Sequence, residues 1–242
     1  MKLVDDVRAV LEASPEVAAI LGLGPFEGFH DLAGGLLSSL CKTPALNQAV
    51  TEAYRDNALA EMTAYDITET ARRNFEPGGA ASALLFSRGV QAIMGHRVAH
   101  KYWVDGNTTM ALALKAAFGR AFSTDIHPAA QIGAGLWLDH GLGFVVGETS
   151  IIEEDVSIWH NVTLGSTLTN SGPRRHPHIG TGAVIGAGAI LLGNIKIGAH
   201  ANIAAGAVVV QDVAQNALVV GAKATVRGDA QVSFVEREGT RK

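Results

Sequence analysis

His140 is the histidine whose neighbours in the sequence best suit acid–base chemistry. It directly follows one carboxylate, Asp139, and lies fifteen residues after a second, Asp125. A carboxylate that binds one ring nitrogen holds the imidazole in one tautomer, so the other nitrogen can take a proton from an alcohol near neutral pH. Such a base is worth roughly 10²- to 10⁴-fold in rate. The pattern therefore predicts an acid–base dyad of His140 and Asp125.

Metal binding is the alternative chemistry for the histidines. His140, His160, His176 and His178 could form an imidazole set for zinc. However, His176 follows directly on a pair of arginines, 174–175, whose charge would repel a divalent cation. We therefore expect no bound metal, and stoichiometric zinc in the purified protein would reverse that expectation.

A hexapeptide repeat supplies the scaffold for these residues. A period of six matches neither the helical period of about 3.6 nor the strand period of about 2, so each unit predicts one short strand and one corner of a three-sided coil. Glycine at 186, 188 and 198 predicts corners with positive φ. The aliphatic side chains that recur are predicted to stack along the axis as the core. They are Ile126, Ile132, Leu138, Val146, Ile152, Ile158, Leu164, Ile179, Ile185, Leu191, Ile197, Ile203 and Val209.

Two interruptions of the repeat are the predicted places for chemistry. The step from Leu138 to Val146 is eight residues, so residues 139–142 bulge outward, and a longer break spans 167–178. Loops on a rigid scaffold often carry function, although each interruption could equally be a tolerated surface insertion. One turn of the coil takes about eighteen residues and rises about 4.8 Å, so Asp125 and His140 lie in neighbouring coils and can meet across a groove.

The first half of the chain predicts short helices. Ser14-Pro15 begins one, and Thr43-Pro44 begins another that runs through Tyr54 towards Met62. Further helical segments are predicted over 80–103 and 108–122. We expect a helical domain over residues 1–122, a catalytic coil over 123–228 and a C-terminal tail over 229–242. Helices this short need partners for their apolar faces, which favours packing between subunits.

The composition is typical of a globular protein of an intracellular compartment. The chain has 242 residues, 48% of them hydrophobic, and a net charge of −4, so nothing favours nucleic acid as a partner. Cys41 is the single cysteine and cannot form an internal disulfide, which fits a reducing compartment. The first residues lack a secretory pattern, and no apolar run of about 18 residues occurs. We expect a cytoplasmic protein without a membrane partner.

Five motifs in order carry a resemblance to a known family over about residues 85–228. They are Asp125-Ile126-His127-Pro128-Ala129-Ala130, Leu138-Asp139-His140, Val145-Val146-Gly147-Glu148-Thr149, Val162-Thr163-Leu164-Gly165 and Arg175-His176-Pro177. This set resembles serine O-acetyltransferase. The resemblance implies an α+β protein in which an N-terminal α-helical domain precedes a left-handed parallel β-helix of hexapeptide repeats.

The resemblance also implies a reaction and roles for the site residues. The acetyl group of acetyl-CoA would pass directly to the hydroxyl of L-serine, without an acyl-enzyme, giving O-acetylserine for cysteine synthesis. His140 would be the general base and Asp125 its orienting partner. Asp139 would hold the substrate ammonium, and Arg175 and His176 its carboxylate. Five small residues would line the acetyl-CoA cleft: Gly165, Ser166, Gly186, Ala187 and Ala205. For these, plain corner geometry is the competing interpretation.

Some residues depart from the family pattern and keep alternatives open. The acid that the family carries before a Leu-Leu pair is not an aspartate here, where the segment 76–85 begins with Glu76. The usual Gly-Phe-His reads Gly89-Val90-Gln91, and the second glycine after Thr-Leu-Gly is Ser166. A different acceptor, such as homoserine or a bulkier xenobiotic-type alcohol or amine, therefore remains an alternative to serine. A catalytically silent, oligomeric coil is a further one.

The resemblance implies an assembly as well. We expect trimers, and hexamers through the N-terminal helices, with the active site between subunits. Family members that bind O-acetylserine sulfhydrylase do so through a C-terminal isoleucine, whereas this sequence ends in Arg241-Lys242. We therefore expect no tight complex with that enzyme.

Overall fold

The described residues form eight helices followed by fourteen short strands. The computed structural model describes residues 2–167, 172–228 and 230, so nearly all of the predicted tail lies outside the described residues. In chain order the helices are α1 (Lys2–Ala13), α2 (Pro15–Leu21), α3 (Phe29–Leu40), α4 (Leu46–Ala53), α5 (Asn57–Arg73), α6 (Gly79–Phe86), α7 (Arg88–Val104) and α8 (Thr108–Phe122). Within the part of the chain that the structure describes, no helix is both long and apolar enough to cross a membrane.

The helix predicted from Thr43-Pro44 is wrong in its extent. Helix α4 begins at Leu46, and the chain leaves the helical path at Tyr54. Asp56 then starts α5, because its Oδ1 accepts hydrogen bonds from the N–H groups of Ala58 and Leu59. The helix from Ser14-Pro15 is confirmed, and the segment ending at residue 122 is confirmed as α8.

The strands pair in parallel across three sheets, which form the faces of a left-handed parallel β-helix. Face A contains β1 (Asp125–Ile126), β4 (Val145–Val146), β7 (Thr163–Gly165), β10 (Ile190–Leu192) and β13 (Val208–Val209). Face B contains β2 (Gln131–Ile132), β5 (Ile151–Ile152), β8 (His178–Ile179) and β11 (Lys196–Ile197). Face C contains β3 (Trp137–Leu138), β6 (Ser157–Ile158), β9 (Val184–Ile185), β12 (Asn202–Ile203) and β14 (Leu218–Val219).

The predicted aliphatic ladder is confirmed as the core of the coil. All thirteen side chains named from the repeat are buried, from Ile126 to Val209. The glycine prediction is only partly right, since Gly188 has φ +69° but Gly186 and Gly198 have no positive φ. A Cβ at Gly186 would collide with the backbone nitrogen of Ala205 in the next coil. At these two positions glycine allows close approach between coils rather than an unusual turn.

A buried ion pair joins the helices to the first coil. Arg97 of α7 pairs with Asp66 of α5 and also donates to the carbonyl oxygens of Ile132 and Gly133. Oδ1 of Asp66 accepts the backbone N–H of Gly135 at 2.7 Å. These contacts fix the helical layer against the coil just before the bulge that carries His140.

Candidate active site

His140 projects from the bulge that follows β3. Its φ is +59°, uncommon for a residue with a side chain, and 66% of its side chain is exposed. Nε2 of His140 lies 3.3 Å from Oδ2 of Asp139, whose side chain is only 17% exposed. The N–H of Asp139 donates to the carbonyl of Ile158 in the next coil, which fixes this carboxylate. Among the described residues, Asp139 is therefore the carboxylate recorded within ion-pair distance of the His140 ring.

Asp125, the predicted partner, makes a different contact. Its exposed carboxylate forms an ion pair of 2.5 Å with Nζ of Lys115 on α8. Among the described residues no hydrogen bond or ion pair joins Asp125 to His140. The two segments are nevertheless neighbours, because the N–H of Gly143, at the end of the bulge, donates to the carbonyl of Ser123. The orienting role of Asp125 stays a prediction.

The corner between faces C and A is called here the base edge. It carries both His140 and part of the predicted cofactor cleft. Equivalent corner positions follow from three hydrogen bonds between coils, which join Asn161 N–H to Leu142 O, Gly188 N–H to His160 O and Gly206 N–H to Ala187 O. The residues Leu142, His160, Ala187 and Ala205 therefore stack along this edge, with Gly186 beside Ala187. The His140 bulge is inserted at the start of the same stack.

The corner between faces A and B, called here the loop edge, holds the predicted carboxylate site. Nη2 of Arg175 lies 2.7 Å from Oε2 of Glu148. The ring of His176 is buried, and its Nδ1 accepts the backbone N–H of Thr149 at 3.1 Å. Gly147 lies directly under this ring, and any Cβ there would collide with it.

The protonation state of His176 follows from this environment. Burial, and secondly the charge of Arg175, lowers its pKa from the usual value of 6.5, so the ring is neutral at pH 7. Because Nδ1 accepts a hydrogen bond, the proton resides on Nε2. His176 can therefore offer a neutral N–H donor beside the Arg175 guanidinium, which suits recognition of a carboxylate.

The predicted site residues fall on two different edges of one face. His140, Asp139, Gly186, Ala187 and Ala205 lie on the base edge. Gly165 and Ser166 follow face A towards the loop edge, where Arg175 and His176 also lie. Within one chain, face A separates the two groups.

The described residues also contain a groove and a cysteine thiol away from this site. A groove of about 790 Å³ lies on face B beside the end of α7, where His100 and Trp103 form one wall. Burial raises the pKa of the Cys41 thiol to about 11, so it is not an activated nucleophile. Across residues 2–167, 172–228 and 230, no three His, Cys, Asp or Glu side chains are grouped as a metal site.

Two residues near the bulge, Lys115 and His160, were not predicted from the sequence to lie beside the site. Lys115 gave no signal, because only the fold brings α8 beside β1. His160 was considered only as a metal candidate, and its ring instead packs against that of His140, with centroids 5.4 Å apart. Recognising it required knowledge of which corner positions are equivalent.

Comparisons with known proteins find similarity to hexapeptide-repeat transferases and to serine acetyltransferases. The family described as bacterial transferase hexapeptide (six repeats) matches residues 176–211. Serine acetyltransferase 4 of Arabidopsis thaliana is 50% identical over 148 residues, which are 61% of this chain and 41% of that protein. Serine acetyltransferase of Salmonella typhimurium is 41% identical over 198 residues, 81% of this chain and 72% of that one. The chain spans about half the length of the plant and Schizosaccharomyces pombe relatives it matches.

Solved structures are similar over almost the whole chain. Neisseria gonorrhoeae serine acetyltransferase in complex with serine has a TM-score of 0.83 at 37% identity, covering 93% of this chain and 95% of that one. Brucella abortus serine acetyltransferase in complex with coenzyme A has a TM-score of 0.83 at 33% identity, covering 96% and 95%.

Proposed function

The chain belongs to the serine acetyltransferase family, and from this premise we propose that it transfers the acetyl group of acetyl-CoA to the hydroxyl of L-serine. The observation that carries the proposal is the exposed His140 imidazole, which projects from the bulge with its Nε2 3.3 Å from the Asp139 carboxylate, on the same edge as Ala187 and Ala205. Relatives solved with serine and with coenzyme A support the two substrates. The product would be O-acetylserine, which serves cysteine biosynthesis, and we propose the cytoplasm as the place of action.

The reaction needs one base and no covalent intermediate. His140 removes the hydroxyl proton of serine while the oxygen attacks the thioester carbonyl. The carbon–sulfur bond then breaks, and the CoA thiolate leaves and takes this proton from the His140 imidazolium. We propose that Asp125 orients the ring during this cycle and that Asp139 holds the serine ammonium. Both carboxylates are close to the bulge, which supports the assignment.

The serine carboxylate would bind Arg175 and His176. The Arg175 guanidinium has a planar fork that matches a carboxylate, and it would exchange its ion pair with Glu148 for the substrate. The neutral His176 adds an N–H donor from Nε2. This pairing favours an amino acid over an acceptor that lacks a carboxylate.

The division of the site between two edges supports assembly into trimers. The outward row on face A is largely apolar, and its members Ile190 and Val208 are 37% and 63% exposed. Three such faces packed around a threefold axis would bring the base edge of one chain against the loop edge of the next. His140 would then meet Arg175 of a neighbouring chain.

The same assembly gives acetyl-CoA a cleft with two walls. Gly186, Ala187 and Ala205 would let the pantetheine arm lie close to the base edge, and Gly165 and Ser166 would form the opposite wall. We propose residues 123–228 as the catalytic domain and residues 1–122 as the helical domain that pairs trimers into hexamers.

An acceptor assay tests this function. L-Serine is expected to accelerate CoA release from acetyl-CoA, and a His140→Ala variant at equal concentration serves as the control. Homoserine, threonine and an aromatic amine should each be turned over at least tenfold less efficiently. Turnover of one of these in place of serine would contradict the serine assignment, whereas an unaffected His140→Ala variant would contradict the role of the base.

A further inference from the structure

Lys115 binds the carboxylate that the proposed mechanism assigns to orienting the base. Its Nζ lies 2.5 Å from Oδ1 of Asp125, so the two charges are in direct contact. The lysine side chain is only 28% exposed, whereas the Asp125 side chain is 60% exposed. A carboxylate that is this open to water samples several rotamers unless a partner fixes it. Among the described residues, Lys115 is the one ion-pair partner of Asp125.

The helix that carries Lys115 is bonded to the bulge of the base. This helix, α8, ends directly before β1, and the carbonyl of Ser123 accepts the N–H of Gly143, at the end of the bulge, at 2.7 Å. The N–H of Asp125 in turn donates to the carbonyl of Phe144 at 2.9 Å. The end of α8, the first strand and the end of the bulge therefore form one hydrogen-bonded unit.

Close packing against α7 limits the movement of α8. A Cβ at Gly95 of α7 would collide with the ring of Phe118 on α8, so the two helices touch at this point. Phe118 is buried and lies three residues after Lys115, which is about one helical turn. The backbone of Lys115 is thus held in place by a packed core, and its ammonium can act as a fixed anchor for the exposed carboxylate.

We propose that Lys115 is a positioning residue for the acid–base dyad, whose ammonium binds one oxygen of Asp125 and leaves the other for the imidazole of His140. This inference rests on the proposed acetyl transfer, in which Asp125 orients the base. A carboxylate has two acceptor oxygens, so it can bind the lysine and an imidazole N–H together. Because Lys115 holds the carboxylate in advance, less ordering remains when the imidazolium forms, and the barrier is lower. Lys115 acts only through Asp125.

Three substitutions and one combination test this role. Lys115→Met removes the ammonium but keeps a long unbranched side chain, and Lys115→Arg restores a positively charged donor. The matched control is Lys101→Met, because Lys101 on α7 is 29% exposed and pairs with Asp105, which is 55% exposed. The double variant of Lys115→Met and Asp125→Asn tests whether the lysine acts through the aspartate.

The measurements are steady-state kinetics with acetyl-CoA and L-serine and the melting temperature of each variant. We expect Lys115→Met to lower kcat about tenfold, with the KM for both substrates and the melting temperature nearly unchanged. Lys115→Arg should recover most of that loss, and Lys101→Met should match the unaltered protein. In the Asp125→Asn background, Lys115→Met should cause no further fall in kcat, because the group that it positions is already absent.

The inference is overturned if Lys115→Met retains or raises kcat, since the lysine would then be idle or would hold Asp125 away from the base. An equal fall in kcat in the Asp125→Asn background would also overturn it, because the lysine would then act on the fold or on a substrate. Failure of Lys115→Arg to recover activity would have the same meaning. An unaltered chain without serine turnover would instead overturn the proposed function, and this inference with it.

Discussion

Asp66 and Arg97 form an ion pair inside the protein, with Oδ2 of the carboxylate 3.0 Å from Nε of the guanidinium and each side chain only 4% exposed. The pair joins two helices, and both partners reach further to the backbone of the first coil. All polar atoms of this junction are thus satisfied by groups from separate parts of the fold. A buried pair of this kind is much more costly to break than a surface pair.

Arg97→Met is therefore expected to lower the free energy of unfolding by about 3–5 kcal/mol, because it leaves the Asp66 carboxylate buried without its counter-charge. Urea denaturation followed by circular dichroism measures the loss. Arg55→Met is the matched control, since its pair with Glu52 is largely exposed and is worth at most about 1 kcal/mol. Equal losses in the two variants would show that the junction does not depend on the pair.

The two carboxylates near His140 are expected to affect different kinetic constants. Asp125→Asn should lower kcat about 10²-fold and leave the KM for serine nearly unchanged, because an orienting group acts on the base. Asp139→Asn should raise the KM for serine at least tenfold, because it removes the partner of the ammonium. If Asp139→Asn lowers kcat and Asp125→Asn does not, then the contact between Asp139 and His140 seen here is the catalytic one, and the roles are exchanged.

Gly147→Ala is expected to weaken serine binding indirectly, through the position of the His176 ring. The added Cβ would collide with the His176 ring. The ring must then move, and its Nδ1 would lose the hydrogen bond from the backbone N–H of Thr149. We expect the KM for serine to rise at least tenfold with a smaller change in the KM for acetyl-CoA. Gly24→Ala, at a glycine with open space around it, is the control for the loss of backbone freedom. An unchanged KM would separate His176 from the carboxylate site.

The coil was predictable from sequence because its repeat makes every unit face the same constraint. The one aliphatic side chain in each six-residue unit can be buried only inside the coil, and residues such as Ile179 and Leu191 are buried as predicted. The helical half has no such repetition. Helix α3 was not predicted, because Gly34 and Gly35 in its middle lower the helical signal.

The site was predictable in its residues but not in its contacts. The motifs pointed to His140 and Arg175, but both residues lie in segments that interrupt the repeat, so the repeat did not assign either one to an edge of face A. Lys115 contacts Asp125 only because α8 turns back at Ser123, where φ is +59°. Contacts between elements distant in sequence depend on tertiary packing, which local patterns do not encode.

His96 is expected to make the protein less stable in mild acid. Burial, with Arg97 and His100 adding positive charge, lowers its pKa well below 6.5, against a smaller opposite contribution from the backbone of Ala130. Below about pH 6.5 the unfolded chain therefore binds a proton at this residue that the folded protein does not. The free energy of unfolding should fall by up to about 1.4 kcal/mol per pH unit until the folded pKa is reached.

His96→Leu tests this assignment, because it removes the titrating group at similar volume. Urea midpoints at pH 7.5 and 5.5 should differ less in this variant than in the unaltered protein, and stability at pH 7.5 should not fall. His200→Leu, at an exposed position, should leave the pH dependence unchanged. The same dependence of stability on pH in all three proteins would show that other groups cause the acid sensitivity. His127 and His176 are such groups, because burial lowers their pKa values as well.

Mixing two inactive chains provides the sharpest test of a site shared between subunits. His140→Ala removes the base from the base edge, and Arg175→Ala removes the carboxylate ligand from the loop edge, so each variant alone should have almost no activity. When the two are unfolded together and refolded at equal amounts, random trimers contain sites that combine an intact base edge from one chain with an intact loop edge from the next. About a quarter of all sites should then be complete, and activity should recover to about that fraction. If both edges served a site within one chain, no mixed assembly could contain a complete site, and the mixture would stay as inactive as its components.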